Sequence, residues 1–259
     1  MNPYLHFKNV FDQGTVSCST EAAGYPAENI ADWRMATPYR WKATASGTQS
    51  LTVDLGGSLT MDSDTVSIAG HNLYTGGYSL AVKYGSGYSS TALAATVVPS
   101  DRPWTKTFTA PGAQRYWKIE LTSGTTTPQI GILILGLRLT IPLGPQPGWD
   151  LWGEEAVTDY QSNEYGMPLG SNLRYISKRL TIDYPDAEFS NSELWSATGI
   201  SWDTDFMPHS RTKPFFFSWD AASDTEPWLC RREGYLSNPI GSVSTRRNLS
   251  MPVVAYREP

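Results

Sequence analysis

The side chains that most often carry chemistry are scarce and scattered in this sequence. Its three histidines, His6, His71 and His209, lie in separate stretches, so a base or metal cluster built on them has to be assembled by folding. Local catalytic signatures are missing: there is no Gly-x-Ser-x-Gly elbow, His-Glu-x-x-His helix, phosphate-cradling loop ending in Lys-Ser/Thr, or Cys-x-x-Cys pair. Two Asp-x-Asp pairs, Asp62/Asp64 and Asp203/Asp205, carry oxygens of the kind calcium takes, but neither continues into the ligand series of a calcium loop. They read as solvated turn carboxylates. Glu154-Glu155 reads as a wet face, and glycoside hydrolysis by two carboxylates needs a separation in space that adjacency does not supply. The expectation is a protein that is not an enzyme and uses no metal or cofactor.

Aromatic surface is what the chain has in quantity, with ten Trp and fourteen Tyr. Such rings fill β cores or offer a flat face to sugars and protein partners. Trp41, Trp117, Phe215, Phe217 and Trp219 stand in strand-like surroundings and are expected in the core. Trp33, Tyr39, Tyr74, Tyr78, Tyr88 and Trp104 stand among Gly, Pro and polar residues and are expected on exposed loops. With their polar neighbours they give a candidate ligand-binding set: Trp33, Arg34, Tyr39, Arg40, His71, Asn72, Tyr74 and Trp104. Carbohydrate binds to such sets by ring stacking and a few placed hydrogen bonds.

These residues need rigid elements to hold them, and the sequence writes strands. Leu51, Val53 and Leu55 alternate with Thr52 and Asp54; Leu80, Val82 and Tyr84 with Ala81 and Lys83; Trp117, Ile119 and Leu121 with Lys118 and Glu120. Period two marks strands with one buried and one wet face. Ile130 to Leu135 is apolar on both parities and reads as a central strand covered on two sides, after which Leu137, Leu139 and Ile141 resume alternation. Downstream, Leu180, Ile182 and Tyr184 alternate, the aromatic run Pro214 to Trp219 must be heavily covered, and Leu249, Met251, Val253 and Ala255 form a last strand. Pro252 in that strand points to an edge or an interruption. One short helix is expected near Ser190, where Glu193 stands at capping-box spacing. Two prolines and two glycines in Leu143 to Gly148 mark a boundary: a first domain at 1–143, a linker at 144–148 and a β-rich domain at 149–259. The fold class is all-β.

Composition agrees and excludes some partners. With 40% hydrophobic and 17% charged residues the chain belongs to the globular class, and 22 Gly and 18 Pro argue against long helices. A net charge of -5 without a Lys/Arg block does not suit coating nucleic-acid phosphates. The longest apolar run, Ile130 to Leu137, is too short to span a bilayer, and no signal-peptide pattern opens the sequence, so synthesis in a cytoplasm is expected. Cys18 and Cys230 stand far apart and read as two buried thiols.

From about Tyr25 to Ile141 the chain resembles the discoidin, or coagulation factor 5/8 type C, family of galactose-binding-like jelly rolls. The resemblance rests on Tyr25-Pro-Ala-Glu-Asn29-Ile-Ala-Asp32, then Tyr39-Arg40-Trp41, then Leu51-Thr-Val-Asp54-Leu-Gly56, then Arg115-Tyr-Trp117-Lys-Ile-Glu-Leu121. It implies a jelly-roll sandwich. Asp32-Trp33-Arg34 replaces the Asp-Gly-Asp of calcium-binding members, so calcium is not implied. Gly70-His71-Asn72-Leu73 is similar to a variant of this domain in bacteriophage tail proteins, and Thr212 to Asp220, Trp228 to Arg231 and Arg246 to Met251 resemble the endings of distal tail and tail-tip proteins of long-tailed phages. That second resemblance implies a virion tail component in a homo-oligomeric ring, contacting tube and hub proteins. It leaves Arg231, Arg232, Arg246 and Arg247 to pair with acidic neighbours. The other reading is a carbohydrate-binding module for host surface polysaccharide.

Overall fold

The structure, a computed structural model, describes residues 3–141, 155–184, 200–220, 227–234 and 249–257. The expected linker, the helix expected near Ser190, and Arg246 and Arg247 lie outside the described residues. In chain order the strands are β1 (Tyr4–His6), β2 (Thr15–Cys18), β3 (Trp41–Lys42), β4 (Gln49–Asp54), β5 (Thr65–His71), β6 (Ser79–Tyr84), β7 (Ser90–Val97) and β8 (Trp104–Thr107). There follow β9 (Tyr116–Thr122), β10 (Gln129–Gly136), β11 (Arg138–Thr140), β12 (Glu155–Ser162), β13 (Pro168–Tyr184), β14 (Phe215–Ser218), β15 (Trp228–Arg232) and β16 (Leu249–Arg257). Among the described residues helix is confined to short turns, including a π turn at Trp202–Phe206 that runs into one α-helical turn at Met207–Ser210.

A five-stranded sheet, β2-β4-β9-β6-β7, faces a four-stranded sheet, β3-β10-β5-β8, with antiparallel neighbours in both. This is the jelly-roll sandwich that the sequence predicts. Leu51 and Val53 of β4, Leu80 and Val82 of β6, and Trp117, Ile119 and Leu121 of β9 meet Val66, Ile68, Leu133 and Leu135 in one core. Trp41 is fully buried there and donates its indole N–H to the Thr20 carbonyl. The residues that carry the discoidin resemblance do structural work. Asp54 grips Arg115 through two hydrogen bonds of 2.6 and 2.8 Å, tying the end of β4 to the start of β9, and this pairing holds the Asp54 carboxyl down at about 2. Asn29 donates to the Arg40 carbonyl, and Gly56 takes the positive φ of 82° that the exit from β4 requires.

The third sheet, β11-β1-β14-β15-β16-β13-β12, runs across the expected division at residue 143. β1 lies between β11 and β14, with Leu5 opposite both Leu139 and Phe217. The outer face of the four-stranded sheet, Ala69, Ile132 and Ile134, packs on Phe216 and Leu229 of this sheet. On the far side of β14, Phe215 and Phe217 enter another core with Ile182, Trp202, Phe206 and Met251. So β10 and β14 are each covered on both faces, which is why their sequences lack alternation. Close approach fixes Gly136, where an added Cβ would lie 2.0 Å from the Lys8 carbonyl oxygen. Asn9 stitches the same contact: its amide donates to the Leu133 carbonyl while its side-chain oxygen accepts from Leu135 N and caps the turn at Val10–Asp12 through Phe11 N.

Some expectations are corrected. β16 is interior, between β15 and β13, so of the two expectations for Pro252 the edge is corrected and the interruption holds: the paired register with β15 ends at Val253, and beyond it the Pro252 carbonyl accepts one bond from Glu233 N at 2.9 Å. Cys230 is buried, but Cys18 is only half-buried and donates to Glu21. Asp64 is no solvated turn carboxylate: it accepts from Arg138 N at 3.0 Å, and burial pushes its carboxyl upward despite the Arg138 charge.

At the join of the second and third sheets His6 Nδ1 lies 2.6 Å from Ser67 Oγ, which lies 2.7 Å from Thr105 Oγ1. All three residues are fully buried, and burial pushes His6 down from 6.5 to about 3. Between these values the unfolded chain holds the extra proton, so the stability is complete above pH 6.5 and falls as the pH drops toward 3. The slope from this group is at most ~1.4 kcal/mol per pH unit. Urea unfolding from pH 7 to pH 4 should show that loss, and His6→Gln should make the acid limb shallower; an unchanged limb refutes the assignment. Phe216→Ala should cost about 3–5 kcal/mol in the same assay, since it opens the contact between the two sheets; a loss below about 1 kcal/mol would show that the contact is not part of the core.

Candidate functional site

One end of the sandwich gathers the loops that carry most of the candidate ligand-binding residues. Ile130, near the start of β10, pairs with Trp41 at the start of β3 and with His71 at the end of β5, so three strand ends coincide there. The connections at residues 34–40, 72–78 and 123–128 therefore sit together. Hydrogen bonds add the loop before β8: Asp101 accepts from Tyr74 N at 2.8 Å and from the Thr75 hydroxyl and amide.

Two polar residues expected to meet ligand hold this frame instead. His71 Nδ1 accepts from Leu73 N, and Nε2, which must then carry the proton, donates to the Arg102 carbonyl at 3.0 Å. Burial pushes the ring down to about 4, against the opposing pull of Asp101, so it is neutral at pH 7 with both nitrogens engaged. Asn72 donates to the Thr127 carbonyl and accepts from Gln129 N, locking β5 to β10. Trp104 is 3% exposed and belongs to the sandwich core. Tyr78 is buried over Gly124, where any Cβ would collide with its ring, and its hydroxyl donates to the Thr126 carbonyl.

Four members of the candidate set reach the surface at this end. Tyr39 is 44% exposed and Tyr74 57% exposed. The Arg34 guanidinium lies over the Tyr39 ring, 4.7 Å from its centroid, and Arg40 Nε donates to the Met35 carbonyl at 2.7 Å. The arrangement offers aromatic faces and planar hydrogen-bond donors on loops whose backbone is fixed by buried polar contacts.

Trp33 is not part of it. The residue sits at φ 62°, a left-handed conformation uncommon for a bulky side chain, and its ring turns into the join between sandwich and third sheet. There its indole N–H donates to Asp12 at 3.1 Å and the ring meets His209 edge-on at 4.6 Å. Sequence spacing had no means of finding this cluster, since Asp12 and Lys213, 2.9 Å apart, come from opposite ends of the chain. Nor did it single out Asp101. Arg231 is exposed on β15, while Arg232 donates to the Ser210 hydroxyl.

Ser67 and His6 have the separation of a nucleophile and its base, but both are sealed inside the packed interface, out of reach of a dissolved substrate. Among the described residues no group of three or more His, Cys, Asp or Glu is placed to hold a metal.

No family model and no curated protein sequence matches the chain. Solved structures similar to about half of it include carbohydrate-binding modules, a lectin domain and a putative α-L-fucosidase. The family 32 carbohydrate-binding module of Clostridium perfringens NanJ, solved with galactose, is 20% identical over 51% of this chain and 98% of its own, with a TM-score of 0.40. The family 32 module of AlyQ, solved with 4,5-unsaturated mannuronic acid, is 24% identical over 50% of this chain and 96% of its own, with a TM-score of 0.38. The lectin domain of lectinolysin, solved with Lewis b antigen, is 16% identical over 50% of this chain and 96% of its own, with a TM-score of 0.40.

Proposed function

We propose that this protein is a non-catalytic glycan-binding β-protein whose binding surface is the loop end of the sandwich. The observation that carries the reading is the pair Tyr39 and Tyr74, held exposed on loops that Asp101, His71 and Asn72 fix from beneath, with Arg34 stacked on Tyr39. Exposed rings cost solvation unless something covers them, and a pyranose offers a C–H face for stacking and hydroxyls for the neighbouring guanidinium. Binding at a preorganised surface loses little entropy to loop ordering. The test is a glycan array followed by calorimetric titration with the best ligand. Tyr74→Ala and Tyr39→Ala should each weaken binding about tenfold, or ~1.4 kcal/mol, with unfolding curves unchanged. No binding on the array, or binding indifferent to both substitutions, refutes the reading.

A second reading, assembly in the virion of a long-tailed phage as a tail-tip or distal tail component, is supported by one feature of the third sheet. Among the described residues β13 pairs with β16 only from Ile176 onward, so residues 168–175 and β12 form a two-stranded ribbon that overhangs the described part of the sheet. Leu169 and Leu173 stand 67% and 44% exposed on it, each beside a register shift in the β12–β13 pairing, and Asp159 and Arg174 form an ion pair along its length. A two-stranded ribbon is marginal in water by itself, and a second copy of the chain covering the leucines would stabilise it as ring assembly requires. Light scattering should show an oligomer that Leu169→Asp with Leu173→Asp dissociates; a monomer at every concentration refutes self-association.

A further inference from the structure

We infer that a cleft at the join between the sandwich and the third sheet is a second binding subsite, for a short neutral sugar. This deepens the glycan-binding reading and rests on it for the ligand's general class, but the cleft is a separate place in the molecule. It has a volume of about 450 Å3, within the range of small-ligand sites, and its walls come from three distant parts of the chain: the segment after β1, the loop at Leu59–Met61, and the turn from Thr204 to Lys213.

The chemistry of the lining selects the ligand. Lys8 and Asp205 stand 3.7 Å apart, and Lys213 and Asp12 2.9 Å apart, so two ammonium groups face two carboxylates and the walls carry no net charge. Such a lining favours neither an anion nor a cation, but it sets donors beside acceptors, the pattern that vicinal hydroxyls match because each both donates and accepts. His209 adds an acceptor. Its Nε2 donates to the Pro214 carbonyl at 2.8 Å, and burial keeps the ring neutral at pH 7, so Nδ1 retains its lone pair. Leu59, exposed despite its size, supplies apolar surface for the C–H face of a sugar ring.

The wall is also braced in advance. Trp33, in its left-handed backbone conformation, holds His209 by ring contact, anchors Asp12 through its N–H, and lies beneath Lys213 Nζ at 5.4 Å from the ring centroid. A strained residue tied to three lining groups is the mark of a site kept in shape before its ligand arrives.

The experiment is a heteronuclear NMR titration of the full chain with galactose, N-acetylglucosamine and lactose at millimolar concentration, with sodium acetate and methylammonium chloride as charged controls. The proposal expects the Leu59 methyl and Thr204 amide signals to move with at least one of the sugars and with neither control. Thr204→Trp, which fills the cleft from an exposed position, should weaken that response about tenfold with an unchanged unfolding curve, and leave the Tyr74-dependent response in place. Leu59 and residue-204 signals that stay fixed with all three sugars, that move equally with the charged controls, or that respond as before in Thr204→Trp overturn it. Cleft shifts accompanied by no response at Tyr39 and Tyr74 support the cleft by themselves, while the loop-end reading stands or falls on the glycan array.

Discussion

The four-stranded sheet of the sandwich has no wet face, and the rest of the molecule answers to that fact. Val66, Ile68, Leu133 and Leu135 point into the jelly roll, while Ala69, Ile132 and Ile134 point away from it and would form an apolar patch in water. Phe216 and Leu229 cover that patch, so the strand that carries Phe216 must itself be apolar on both sides, and Phe215 and Phe217 call for a further core. Each layer creates the demand for the next until the turn at Trp202–Ser210 closes the stack. Burial at roughly 2 kcal/mol per large side chain makes these contacts, rather than surface ion pairs, the main source of cohesion.

Much of this was legible in the sequence. Alternation at Leu51, Leu80 and Trp117 located β4, β6 and β9 because a half-buried strand must alternate, and the two-faced run from Ile130 announced a covered strand without saying by what. Long-range pairing was not legible: nothing in Tyr4-Leu5-His6 states that it sits beside Phe215–Ser218, because register is a property of two segments and not of one. Residue chemistry misled where it was read as local. Trp33 and Trp104 stand among polar neighbours yet are buried, since exposure is decided by which element covers a ring and not by the residues beside it in the chain.

The loop end shows how the two kinds of polar residue divide their labour. His71, Asn72 and Asp101 spend their hydrogen-bonding capacity on backbone groups of neighbouring loops, because a buried polar group left unpaired is expensive. Tyr39 and Tyr74 stand on the platform so made and keep their rings toward water. A ligand meets the second group, but its geometry is set by the first.

Pairing Tyr4 with Ser218 has a consequence for how the polypeptide matures. The jelly roll is encoded between Asn9 and Gly136 and closes on contacts within that span, whereas β1 finds its second neighbour only after β14 has been synthesised. During synthesis the first strand waits, and the apolar outer surface of the finished jelly roll waits with it. Nascent chains therefore pass through a stage with a sound sandwich and an uncovered flank, a window in which a chaperone or a neighbouring nascent chain competes with the chain's own later strands for the same surface.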